Sequence, residues 1–133
     1  MKVLSVLFAA ALLAACSSTT NGGHATLNGE VFYLQRMALP PGAQLTVILQ
    51  DVSLADAPAR NLAMETRVLQ QQVPIRFDLK YDRSQVQPGH TYAVNARIEN
   101  AGHLLFVTTE RNAVTLDGND PQPLRVRVDP AMH

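Results

Sequence analysis

Residues Val73–Asp82 read VPIRFDLKYD, and this stretch decides the fold. Val73, Ile75, Phe77, Leu79 and Tyr81 alternate with Pro74, Arg76, Asp78, Lys80 and Asp82. Successive side chains of an extended strand point to opposite faces, so a period of two gives one apolar and one charged face. A sheet buried on one side and wet on the other calls for that pattern. Thr91–Glu99 repeats it, with Tyr92, Val94, Ala96 and Ile98 inward. So does the C-terminal stretch, where Leu124, Val126 and Val128 oppose Arg125, Arg127 and Asp129.

Fainter alternation extends the pattern through the chain. Leu27, Val31 and Tyr33 share one side of Thr26–Tyr33, and Leu45, Val47 and Leu49 one side of Gln44–Val52. Leu104–Thr109 and Ala113–Leu116 are short and rich enough in β-branched residues for strands. Leu62–Gln70 reads as strand or helix, because its Ala, Met, Glu and Leu also suit a helix. Pro40-Pro41-Gly42, Asp56–Pro58, Gln87-Pro88-Gly89, Asn100-Ala101-Gly102 and Asp117–Pro121 punctuate these runs as turns. Roughly seven or eight short strands at regular spacing predict an all-β fold, a single antiparallel β-sandwich.

The 133 residues are about one domain long. Eleven Lys and Arg balance eleven Asp and Glu, so no basic excess points to nucleic acid. One Cys forbids an intrachain disulfide, and an apolar content of 47% is not that of a disordered chain.

The first fifteen residues read as an address rather than as part of the fold. Only Lys2 and Ser5 among them are not apolar. The run is too short to span a bilayer, which takes about 20 residues, and has the length of a signal-peptide core. Leu13-Ala14-Ala15-Cys16 resembles the bacterial lipobox. That resemblance implies cleavage before Cys16, a diacylglycerol on its sulfur and an acyl chain on its freed amine. Several acyl chains hold a soluble domain at a membrane where one holds it only marginally. Ser17 fits the outer-membrane sorting pattern of such lipoproteins. The expected organisation is therefore a signal peptide over 1–15, a lipidated Cys and flexible tether over 16–24, and a sandwich over 25–133, anchored in the outer membrane and facing the periplasm.

Little in the chain points to catalysis or metal. No Gly-rich phosphate loop and no G-x-S-x-G elbow occur. Ser84, His90 and Asp82, or Ser53 and Asp51, make triad-like sets only on paper. His24, His90, His103 and His133 match no ligand spacing, and Asp117-Gly118-Asn119-Asp120 lacks the remainder of a calcium loop. No cofactor is expected beyond the acyl chains. Arg67, Arg76, Arg97, Arg125 and Arg127 fall on strands and have two readings: a stripe that meets an acidic partner or a lipid headgroup, or charge that keeps wet faces and edges from pairing with other chains. The apolar segment Met37-Ala38-Leu39-Pro40-Pro41-Gly42 has two readings: a plug over one end of the core, or a surface on which Met37, Leu39, Pro40 and Pro41 meet a partner.

Residues 29–43, GEVFYLQRMALPPGA, resemble the opening of the YbaY-family lipoproteins, as does LTVILQD at 45–51. QVPIRFDL at 72–79 and HTYAV at 90–94 are similar to later motifs of the same group. That group is related to the YscW-type pilotins of type III secretion. The resemblance implies a β-sandwich on a lipid anchor, and pilotins of this type help a secretin reach and assemble in the outer membrane. It carries over one residue only, the lipidated Cys16. The expected role is a non-enzymatic, pilotin-like protein-binding lipoprotein. The alternatives are a glycan- or peptidoglycan-binding module, for which a chain without Trp is poorly equipped, and a structural envelope component.

Overall fold

In a computed structural model, residues 23–132 are described. The signal segment, Cys16 and most of the tether lie outside them. Nine strands follow in order: β1 (His24–Phe32), β2 (Gln44–Asp51), β3 (Arg60–Val68), β4 (Ile75–Asp82), β5 (Tyr92–Asn100), β6 (His103–Val107), β7 (Asn112–Val114), β8 (Leu124–Arg127) and β9 (Asp129–Pro130). A 3-10 turn over Arg83–Gln85 is the sole helical element among the described residues. β4-β1-β8 form a small sheet, and β3-β2-β5-β6-β9 form a large one, with β7 also paired to β5. The two sheets enclose one core, so the all-β sandwich expected from alternation is the fold. β9, of two residues, exceeds the expected strand count.

Two features differ from or extend the expectation. The sandwich is not wholly antiparallel, because β1 pairs with β8 in parallel, Gly29 opposite Leu124 through Phe32 opposite Arg127. The chain reaches β8 after every other strand except β9, and it enters in the same direction as β1. β1 also begins at His24, opposite Asp82, one residue before the expected domain start.

Leu62–Val68 of this stretch is strand, with Leu69 and Gln70 beyond its end: β3 runs antiparallel to β2, Gln44 opposite Val68 through Asp51 opposite Arg60, with a bulge near Leu62. Helix propensity of a fraction of a kcal/mol per residue yields to a ladder of backbone hydrogen bonds.

The predicted inward faces are buried, except that Val73 precedes β4 and is half-buried, while Ala93, expected on the outward side of β5, is buried as well. Ile75, Phe77, Leu79 and Tyr81 of β4, Leu27 and Val31 of β1, Leu45, Val47 and Leu49 of β2, Tyr92, Val94, Ala96 and Ile98 of β5, and Leu124, Val126 and Val128 are all buried. Each such side chain contributes about 1.5–3 kcal/mol by leaving water. Gly29 occupies an inward position of β1 because the Phe77 ring takes its place. A Cβ there would lie 2.3 Å from Phe77 Cζ and 2.6 Å from the Leu124 carbonyl oxygen. The β5–β6 hairpin turns through Ala101 and Gly102, both at positive φ (52° and 82°). That is the two-residue turn whose twist matches antiparallel strands.

Candidate functional site

β1 ends at Phe32, and the chain passes through residues 33–43 before β2 starts. These residues cap the end of the sandwich opposite to the one where the chain enters at His24. Tyr33 anchors the segment. Its ring is buried and stacks on Phe106 with centroids 4.2 Å apart. Its hydroxyl donates to the Met37 carbonyl oxygen at 2.6 Å. Burial raises its pKa, so the donor stays protonated. Leu39 then turns into the core, 6% exposed. The Gln72 side chain clamps it from the β3–β4 connection. Gln72 Oε1 accepts from Leu39 N at 2.6 Å, and Nε2 donates to Leu39 O at 3.3 Å. Ala43 N donates to Pro40 O, with Pro41 and Gly42 between them and Gly42 at φ 85°. That is a turn with Pro at its second and Gly at its third position, where positive φ is required.

The two readings of this segment thus divide by residue. Leu39 is the plug, closing the core, and is not a surface residue. Met37 is 57% exposed, Leu34 63%, and Pro41 is also exposed. Pro40 is half-buried. An apolar tip stands at this pole on a buried tyrosine and a two-bonded amide. Gln72 was not legible as part of it, because its clamp depends on a connection 33 residues further along the chain.

At the opposite pole the structure joins Asp51, Ser53 and His90. His90 Nδ1 lies 2.6 Å from Asp51 Oδ2. Ser53 Oγ donates to Asp51 Oδ1 at 2.6 Å and accepts from Thr91 N at 2.7 Å. The Ser53 hydroxyl bond, then the His90 bond, lowers the Asp51 pKa to about 2. A nucleophilic triad needs serine on histidine and histidine on carboxylate. Here the serine bonds the carboxylate and a backbone amide, so the set ties the end of β2 to the start of β5. Ser84 likewise caps on Asp82, and His90 does not join that pair.

The remaining candidates stay apart. His90 and His103 flank β5 at its two ends, roughly 30 Å from end to end for nine residues. His133 lies outside the described residues. Among those residues no three His, Cys, Asp or Glu side chains gather as metal ligands. Asp117 and Asp120 engage their carboxylates with Thr115, Leu116 and Asn119 of their own loop. The arginines form no common stripe. Arg97 pairs with Glu99 on the large sheet, Arg125 with Glu30 on the small one, and Arg127 with Asp129. Arg125 also covers Phe32, its Cζ 4.1 Å from the ring centroid. Arg67 donates to the Arg76 carbonyl oxygen across the sandwich edge.

The described residues form a one-domain sandwich with a braced apolar tip at one end. Comparison with known proteins gives the class. A family model described as type III secretion system lipoprotein chaperone (YscW) matches residues 23–127, and the chain belongs to this family. The uncharacterized lipoprotein YbaY of Escherichia coli (strain K12) is 41% identical over 83 residues, 62% of this chain. The match spans only 44% of that relative's length. The structure of an alternative pilotin from the type II secretion system of Vibrio cholerae superimposes with a TM-score of 0.75 at 37% identity. It covers 84% of this chain and all of the other. The YbaY-like and YscW-like resemblance of the sequence is thereby established.

Proposed function

We propose that the protein is a pilotin-like lipoprotein that holds a secretin-type envelope protein through the apolar tip at Leu34, Met37 and Pro41. The observation that carries this is the exposure of Met37 on a loop fixed by Tyr33 and Gln72. Large apolar side chains exposed to water favour a partner that covers them, and a loop whose backbone is already braced lowers the cost of binding. Membership of a lipoprotein chaperone family and likeness to a solved pilotin support the choice of partner. In this reading the acyl chains on Cys16 anchor the domain to the outer membrane and carry the bound subunit there. The role is non-enzymatic and needs no cofactor besides those chains.

Crosslinking the native chain in intact envelopes, followed by pull-down and peptide identification, tests it. The expected result is a secretin subunit recovered with the parent chain and lost with Met37→Asp, while the melting temperature stays unchanged. Recovery of no envelope protein above a Cys16→Ser control overturns the reading. Sedimentation with cell-wall sacculi in place of protein capture would replace it with glycan binding.

A further inference from the structure

β3 is the outermost strand of the large sheet, hydrogen-bonded on one side to β2. Among the described residues no strand pairs with its other side, and an unpaired row of backbone donors and acceptors is a template for another strand. The neighbouring edge, β4, is treated differently, since Arg67 reaches across and occupies the Arg76 carbonyl oxygen. The regular part of β3 follows its bulge near Leu62 and reads Ala63-Met64-Glu65-Thr66-Arg67-Val68. Met64 and Val68 are exposed on the outer face, at 60% and 51%. Glu65 and Arg67 share the opposite face with Val47 and Leu45. Oε1 of Glu65 is buried without a hydrogen-bond partner.

The sequence of this edge is complementary to itself in one register. Two antiparallel copies related by an axis through the sheet place residues of the same face opposite each other. Centred on Glu65, the two carboxylates collide. Centred on Met64, Glu65 faces Ala63 and Arg67 faces Asn61, so no charge finds its opposite. Centred on Thr66, Glu65 faces Arg67 of the second copy, Arg67 faces Glu65, and Met64 faces Val68 twice. Opposite charges and apolar pairs directly across a ladder each favour pairing. The guanidinium of Arg67 has N–H groups left beyond the one given to Arg76.

We propose that a second copy of this chain docks on β3, in antiparallel register about Thr66, joining the two large sheets into one. The inference is independent of the secretin-binding reading, because it uses an edge and not the Met37 tip.

The full-length chain purified in detergent tests it. Opposed residues of an antiparallel pair have Cα atoms about 4.5–5.5 Å apart, within the separation of about 4.4–6.8 Å that a disulfide bridges. Thr66→Cys is expected to form a disulfide dimer under mild oxidation, and Ala113→Cys, exposed on β7, is expected not to. In sedimentation equilibrium Glu65→Arg and Arg67→Glu each weaken self-association by about tenfold. The double exchange Glu65→Arg with Arg67→Glu restores it, a result that loss of folding or loss of the Arg76 contact does not produce. Melting curves of each variant separate unfolding from dissociation. A parent chain that stays monomeric up to its solubility limit overturns the proposal, as does equal crosslinking at residues 66 and 113.

Discussion

Gly29 has no side chain because Phe77 fills the space where one would stand. Gly29→Ala is expected to cost about 1–3 kcal/mol by overpacking and to lower Tm by roughly 5–15 °C in a circular-dichroism melt. Adding Phe77→Leu recovers part of that loss, since the ring is gone but the Leu124 carbonyl remains 2.6 Å from the new methyl. Asp51 carries a pH signature of its own. Its hydrogen bonds from Ser53, then His90, hold its pKa at about 2, against 3.8 ordinarily. A lowered carboxylate contributes stability above its unfolded pKa and loses it as pH falls through the folded one. Denaturant melts of parent and Asp51→Asn should therefore differ at neutral pH and converge between about pH 4 and pH 2. Equal stabilities at neutral pH would mean that Asp51 does not stabilise the fold. Neither role is legible in the sequence, where Gly29 interrupts an apolar face without reason and Asp51 lies 39 residues from His90.

Strands with clean alternation declare themselves, and those without it do not. In β4 every second residue is apolar, and its inward face holds from Ile75 to Tyr81. β3 carries Met64 and Val68 on the wet face and Glu65 and Arg67 on the other. Periodicity therefore fits strand and helix equally there, and pairing with β2 decides between them. The 33–43 segment was legible in part. Its apolar residues and Pro-Pro-Gly turn are visible in sequence, but the division between Leu39 inside and Met37 outside depends on Gln72. Gln72→Leu is expected to free both Leu39 backbone groups at a cost of about 1–3 kcal/mol to that loop. Hydrogen exchange at the Leu39 amide should then quicken by about 10–100-fold while exchange in β4 changes little. Uniform acceleration through the domain would mean that the clamp stabilises the whole fold rather than the tip.

At the scale of the molecule, alternation predicted a sandwich and the sandwich is there, but its connectivity was not readable. Period two reports which face of a strand is buried and says nothing of its neighbours, so the parallel pairing of β1 with β8 had no sequence signal. The anchor is a separate matter, because Cys16 precedes the described residues. Under the lipoprotein reading Cys16→Ser leaves the chain soluble or as uncleaved precursor, checked by fractionation after carbonate washing. Unchanged recovery with outer membranes would sink it. β1 lies between β4 and β8 in the small sheet, bonded on both sides, and the tether leaves from its first residue. A pull on the tether along β1 while a partner holds the far tip loads both ladders lengthwise. Their bonds then share the force together, in shear, instead of opening one after another as in a peeled hairpin. Under the lipoprotein reading the chain would meet the membrane through the strand of the small sheet that is bonded on both sides, and a cargo dragged through the envelope would strain its grip before it unravelled its carrier.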